Sequence, residues 1–125
     1  MPAKVIDASA LAAILFGEPE GNRVAKALRR ASLFAPTLLR YEVGSVCLKK
    51  IRRHPERRAD LLAALDLVDR MDFQEVEVPP VEAVDLAERT GLTLYDAAYL
   101  WLARSLGVAL VTLDTRLEAA MRPPR

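Results

Sequence analysis

The sequence predicts an α/β fold, an open parallel sheet of roughly four to five strands sandwiched between helices. Two observations carry this. Short apolar segments take turns along the chain with longer segments of helical period, and the first and last of those short segments are continuous apolar runs, as strands covered on both faces are.

Residues 4–7 are β-branched at Val5-Ile6 and lead directly into a helical pattern through Leu11, Ile14 and Leu15, a buried strand feeding a helix that Gly17 ends. Residues 18–32 read as an amphipathic helix with Val24, Ala27 and Leu28 inward and Arg23, Lys26 and Arg29 outward. Residues 33–36 form a second strand, stopped by its proline. Thr37 is placed as the cap of a helix through Leu38, Tyr41, Val46 and Leu48. Pro55 opens the next helix, which carries Leu61, Leu62, Leu65 and Val68, and the two are expected to lie antiparallel. Residues 73–78 alternate apolar with Gln74, Glu75 and Glu77, a third strand, and Pro79-Pro80 ends it before a helix over 81–89 closed by Gly91. Thr93 begins another helix, ending near Gly107. Residues 108–113, apolar but for Thr112, predict a strand covered on both faces, followed by one or two helical turns over 115–120. One domain is expected over residues 1–121, with 122–125 as a short tail.

Composition narrows the function. Apolar residues make up 52% of the 125, enough for a core without staples. The net charge of +1 gives no general attraction to polyanions, so any basic surface must be local. Cys47 is the only cysteine, which excludes an internal disulfide and a cysteine-based zinc site and leaves a small core hydrophobe. The N-terminus turns acidic at Asp7 before an apolar stretch of signal-peptide length develops. Residues 92–113 are interrupted by Asp96, Arg104 and Gly107, unlike a membrane span. A cytoplasmic protein is expected.

Of the 17 acidic residues, four stand out of context. Asp7 and Asp114 end apolar strands, and Glu42 and Asp96 lie within largely apolar helical segments. Burying an unpaired carboxylate is costly. Ligands of open α/β sheets bind beyond the carboxyl ends of the strands, which places Asp7 and Asp114 at one crevice. If the first turns of the Glu42 and Asp96 helices border it, four carboxylates converge, and such a group stays fully ionised only with cations. Oxygen-only donors favour a hard cation, Mg²⁺ or Mn²⁺. The competing explanation is helix capping: Asp7 before the first helix, Thr93 with Asp96 as a capping box, and Asp114 or Thr115 with Glu118 as another. Glu42, among Leu38, Leu39 and Tyr41 in what reads as a helix interior, has the poorest structural excuse.

Two further features carry alternatives. The basic run over 49–58, with Arg52, Arg53, Arg57 and Arg58, is either a phosphate contact or a solvated helix end whose cations the helix dipole favours. Helix faces bearing Leu11, Leu15, Leu61, Leu62 and Leu65 serve core packing, a groove or a dimer face.

The chain resembles the PIN-domain family, in particular the small VapC-type toxins of toxin–antitoxin pairs, over nearly its whole length. Val5-Ile6-Asp7-Ala8-Ser9-Ala10-Leu11 is similar to that family's opening strand and first acid, and Tyr41-Glu42-Val43 to its second. Leu94-Tyr95-Asp96-Ala97-Ala98-Tyr99 resembles the third, and Leu110-Val111-Thr112-Leu113-Asp114 the fourth. The resemblance implies a metal-dependent endoribonuclease, with Asp7 and Asp96 as the most direct Mg²⁺ or Mn²⁺ ligands. Glu42 and Asp114 complete the site directly or through water, and Ser9 and Thr112 orient these groups. It further implies a homodimer and a cognate antitoxin of VapB type. The other readings fare worse. A noncatalytic PIN-fold RNA-binding or protein-interaction module would have lost some of the acids. A haloacid-dehalogenase-like phosphatase needs a second Asp where Ser9 stands, and a phosphate-cradling nucleotide fold needs a glycine-rich loop after a strand.

Overall fold

The computed structural model describes residues 2–122. Four parallel strands, β1 (Ala3–Ile6), β2 (Ser32–Pro36), β3 (Phe73–Val76) and β4 (Ala109–Val111), form a sheet in the order β3-β2-β1-β4. Helices α1 (Ala8–Leu15) and α2 (Gly21–Leu28) join β1 to β2, and α3 (Leu39–Arg53) and α4 (Arg58–Asp66) join β2 to β3. The chain then crosses back through α5 (Pro80–Thr90) and α6 (Leu94–Leu106) to β4, and α7 (Thr115–Met121) follows. Parallel crossovers are right-handed, so the outward steps put α1 to α4 on one face and the return puts α5 and α6 on the other. Accordingly α6 packs on β1 and β2, while α1 packs on α2 and α3. The α/β/α sandwich read from the sequence forms, with four strands. Among the described residues no helix is long and apolar enough to cross a membrane. The tail beyond Arg122 lies outside the described residues.

The core fills from both faces of β1: Leu11, Leu39 and Val43 on one side and Leu100 and Leu102 on the other are buried with Val5 and Ile6. Cys47 belongs to this core, its thiol donating to the Leu61 carbonyl at 3.6 Å. Of the apolar helix faces, Leu11 and Leu61 are core, whereas Leu62 and Leu65 line a surface cavity with Arg40 and Val68.

Local expectations change at α2, Thr37, β4 and Glu42. α2 starts at Gly21 and not at residue 18, because the chain there presses on α1: a Cβ at Gly21 would sit 2.6 Å from the Ala13 carbonyl oxygen. It ends at Leu28, and Arg30, with φ 60°, turns the chain toward β2. Thr37 does not cap α3, since its N–H donates to the Val76 carbonyl at 3.2 Å and continues the β2–β3 ladder. Residues 108–113 are not a strand covered on both faces: only Ala109–Val111 pair, β4 is an edge strand, and Ala109 is exposed. Glu42 lies in the first turn of α3 and not in its interior. That turn is anchored by Arg40, which pairs with Asp69 at 2.6 Å and with Glu75, and lies 5.0 Å from the centre of the Phe73 ring. Each half-exposed pair is worth about 1 kcal/mol or less, so the consequence is positional, fixing the start of α3 against β3.

Candidate active site

The strand order reverses at β1, which has β2 on one side and β4 on the other. The crevice beyond the carboxyl ends of β1 and β4 is therefore the topological switch point, where open α/β sheets bind ligands. Asp7 is the first residue past β1, and its N–H donates to the Val111 carbonyl at 3.2 Å. Only 4% exposed, Asp7 is the N-cap of α1: Oδ1 accepts from the Ala10 N–H at 3.0 Å and from Ser9 Oγ at 2.8 Å, and Oδ2 accepts from Thr112 Oγ1. Ser9 Oγ in turn accepts from the Leu113 N–H and Thr112 Oγ1 from the Asp114 N–H, each at 3.0 Å. This web explains why β4 is short. Residues 112–114 leave the ladder to bind Asp7 and Ser9, delivering Asp114 to the same crevice.

Capping and clustering thus coexist. Asp114 Oδ1 caps α7, accepting from Arg116 and Leu117 at 2.9 and 3.1 Å. Asp96 enters at the first turn of α6, where its N–H donates to the Thr93 cap at 3.1 Å. A carboxylate accepts about four hydrogen bonds, so three donors on Asp7 and two on Asp114 leave acceptor capacity on each. The T-x-x-D box reduces to Thr93 alone, and Thr115 is the first residue of α7, not its cap.

The acids feel one another. Burial pushes Asp7 above the usual carboxylate range, the charge of Asp96 adds to the rise, and donation from Thr112, Ala10 and Ser9 opposes it. Glu42 is raised by burial and by the charges of Asp96 and Asp7, and Asp96 by burial and the charge of Asp114. Glu42 is the group least satisfied: Oε1 is buried without a hydrogen-bond partner. The buried Tyr99 hydroxyl faces it and favours its charge, yet it too completes no hydrogen bond. Burial and the Glu42 charge push that hydroxyl far up, so it stays protonated.

A carboxylate raised above its unfolded value binds its proton more tightly in the native state, so stability falls as pH rises through and above the ordinary carboxylate range. In chelator, the thermal midpoint should therefore drop as pH rises through and above the ordinary carboxylate range, and Glu42→Gln should reduce that drop. Equal drops in both proteins would remove Glu42 from the cluster.

The donor set fits a hydrated hard cation. Its donors are all oxygens, and the orphaned Glu42 Oε1 sits beside acids that raise one another. Among the described residues no three His, Cys, Asp or Glu side chains form a ready metal cage. Mg²⁺ does not require one, since it keeps several waters and is commonly held by one or two carboxylates.

Of the acids picked out by the sequence motifs, Asp7 and Asp96 act electrostatically on Glu42, and Asp114 acts on Asp96. The motifs missed Tyr99, whose polar tip is hidden in the buried run Ala97 to Leu100, and they lent no weight to the exposed rings of Tyr41 and Tyr95, each immediately before an acid.

Comparison with known proteins agrees with this geometry. The PIN domain family model matches residues 4–122. Ribonuclease VapC3 of Pyrobaculum aerophilum is 32% identical over 118 residues, covering 90% of each chain. Ribonuclease VapC1 of Mycobacterium tuberculosis is 33% identical, covering 93% of this chain and 89% of its own. The crystal structure of PAE2754 from Pyrobaculum aerophilum superposes with a TM-score of 0.77 at 30% identity, over 97% of this chain and 86% of the other. With the family model matched over residues 4–122 and relatives at 32% and 33% identity matched over 90% and 89% of their own length, the chain belongs to the PIN domain family, in the VapC branch.

Proposed function

We propose that this chain is the ribonuclease toxin of a VapBC-type pair, an endonuclease that hydrolyses RNA phosphodiester bonds at the crevice of Asp7, Glu42, Asp96 and Asp114 with Mg²⁺ or Mn²⁺. The observation that carries the reading is the buried, unpartnered Glu42 Oε1 among carboxylates that raise one another. The relatives' names as ribonucleases support the chemistry.

Asp7 and Asp96 are the direct ligands, with Glu42 and Asp114 completing the site directly or through water. The ion, when bound, supplies charge for the phosphoryl oxygen and acidifies a water for in-line attack. The protein's part is preorganisation. Ser9, Thr112 and the Ala10 N–H hold the Asp7 carboxylate in one orientation, leaving a lone pair toward the crevice. The Glu42 carboxylate accepts a hydrogen from the attacking water and orients it. Tyr99 keeps its proton and holds the Glu42 side chain by its dipole.

The toxin works in the cytoplasm as a homodimer, restrained by a VapB-type antitoxin. Static light scattering at micromolar concentration should give twice the 13.8 kDa chain mass. Monomer alone would overturn the dimer. The central test is cleavage of a circular RNA, which only an internal cut can open, titrated with Mg²⁺ and Mn²⁺. Cleavage that survives chelator would defeat the metal assignment, and an intact circle alongside degraded linear RNA would defeat the endonuclease.

A further inference from the structure

Two large aromatic rings stand in water beside the acids. Tyr41 is 87% exposed and Tyr95 58%, and they come from different helices, α3 and α6. They line one open cleft of about 500 Å³ together with Ala8, Leu38, Glu42 and Lys49. Neither ring adds to the core, and a fold under pressure for stability alone has no use for them there. Their place is set by the acids: each immediately precedes one in a first helical turn, so wherever Glu42 and Asp96 face the crevice, the tyrosines flank its mouth.

The surface continues along α3. Tyr41, Ser45, Lys49 and Arg52 follow at helical spacing and are all exposed, forming one stripe. Glu42 and Arg52, ten residues apart, are separated by about 15 Å along the axis. Lys50, on the neighbouring flank, is held by Glu18 at 2.8 Å, whereas Lys49 and Arg52 make no ion pair among the described residues. The stripe thus runs from a site for the scissile phosphate, past two flat rings, to these two cations. That order matches a polyanion with unstacked bases better than an apolar peptide. Bases inside a duplex are already stacked and cannot reach a side-chain ring, whereas unpaired bases stack on tyrosine irrespective of sequence.

We propose that Tyr41 and Tyr95 are base-stacking platforms and that Lys49 and Arg52 contact the phosphates beyond them, so that the RNA strand lies along α3. This rests on the ribonuclease reading of the acids. The test measures fluorescence polarisation of labelled RNA on the full-length Asp7→Asn protein in Mg²⁺, which binds without cutting. Three probes of equal length serve: an unpaired strand, the same strand in duplex, and the strand lacking several consecutive bases. The unpaired strand should bind at least about tenfold more tightly than the others. Tyr41→Ala and Tyr95→Ala should each weaken it about tenfold, with Phe at either position restoring it. Lys49→Gln with Arg52→Gln should lower the slope of log affinity on log salt by about 1.4.

Unchanged affinity in both alanine variants, or equal binding of the baseless strand, overturns stacking. So does a shift of the alanine variants from dimer to monomer in sedimentation, which assigns the rings to a protein interface. These outcomes leave the ribonuclease standing if the wild type still cuts RNA. Failure to bind any of the three probes, with no cleavage by the wild type, overturns both.

Discussion

Asp7→Asn and Asp96→Asn should each lower Mg²⁺-dependent RNA cleavage to less than about one-thousandth of wild type, while circular dichroism and the thermal midpoint stay close to those of the parent. The size follows from loss of a charged ligand to an ion that stabilises the transition state by several kcal/mol, at 1.36 kcal/mol per tenfold. The intact fold follows from the hydrogen bonds. In the Asp7→Asn variant the side-chain carbonyl would keep the oxygen that caps α1 through the Ala10 N–H, and the new amide would donate toward Thr112 Oγ1, which has a lone pair to receive it. At residue 96 the cap bond uses the backbone N–H, which the substitution leaves untouched. Cleavage within about tenfold of wild type in both variants would sink the metal site. A loss of activity accompanied by unfolding would show that capping, and not chemistry, is what these acids supply.

The largest stability effect is expected at Leu11→Ala. Leu11 is 0% exposed in the core on the α1 side of the sheet, and truncating such a leucine costs about 2–5 kcal/mol through lost burial and the residual cavity. The thermal midpoint should fall by at least about 6 °C. Leu62→Ala, on the exposed side of α4, should cost less than about 1 kcal/mol. Similar costs at both positions would mean that Leu62 is covered in solution, as by a partner. Because α1 begins directly after Asp7, the Leu11 variant should also lose activity before it unfolds.

Much of this is legible in the sequence, for physical reasons that differ by residue. The alternation of short apolar segments with helical ones sets the layers, and Gly91 and Gly107, both left-handed, close α5 and α6 where expected. The acids are legible because charge in apolar context is costly. What stays hidden is tertiary in origin. Nothing local shows that residue 37 belongs to a ladder with Val76, or that α2 must wait for Gly21 because α1 passes within a Cβ's reach. The apolar run 108–113 has the pattern of a long strand, but Thr112 and Leu113 are claimed by Asp7 and Ser9, over a hundred residues away in the chain. Capping and ligation read as rivals along the chain, yet Asp7 and Asp114 cap helices with acceptor capacity to spare.

The brevity of β4 has a dynamic consequence. Three residues pairing with a single neighbour form the sheet's weakest unit, whereas β1 is hydrogen-bonded along both edges. Local opening begins where protection is least, so β4 is expected to open before β1. Amides of β4 should therefore exchange hydrogen before those of β1 and β2, which are paired along both edges.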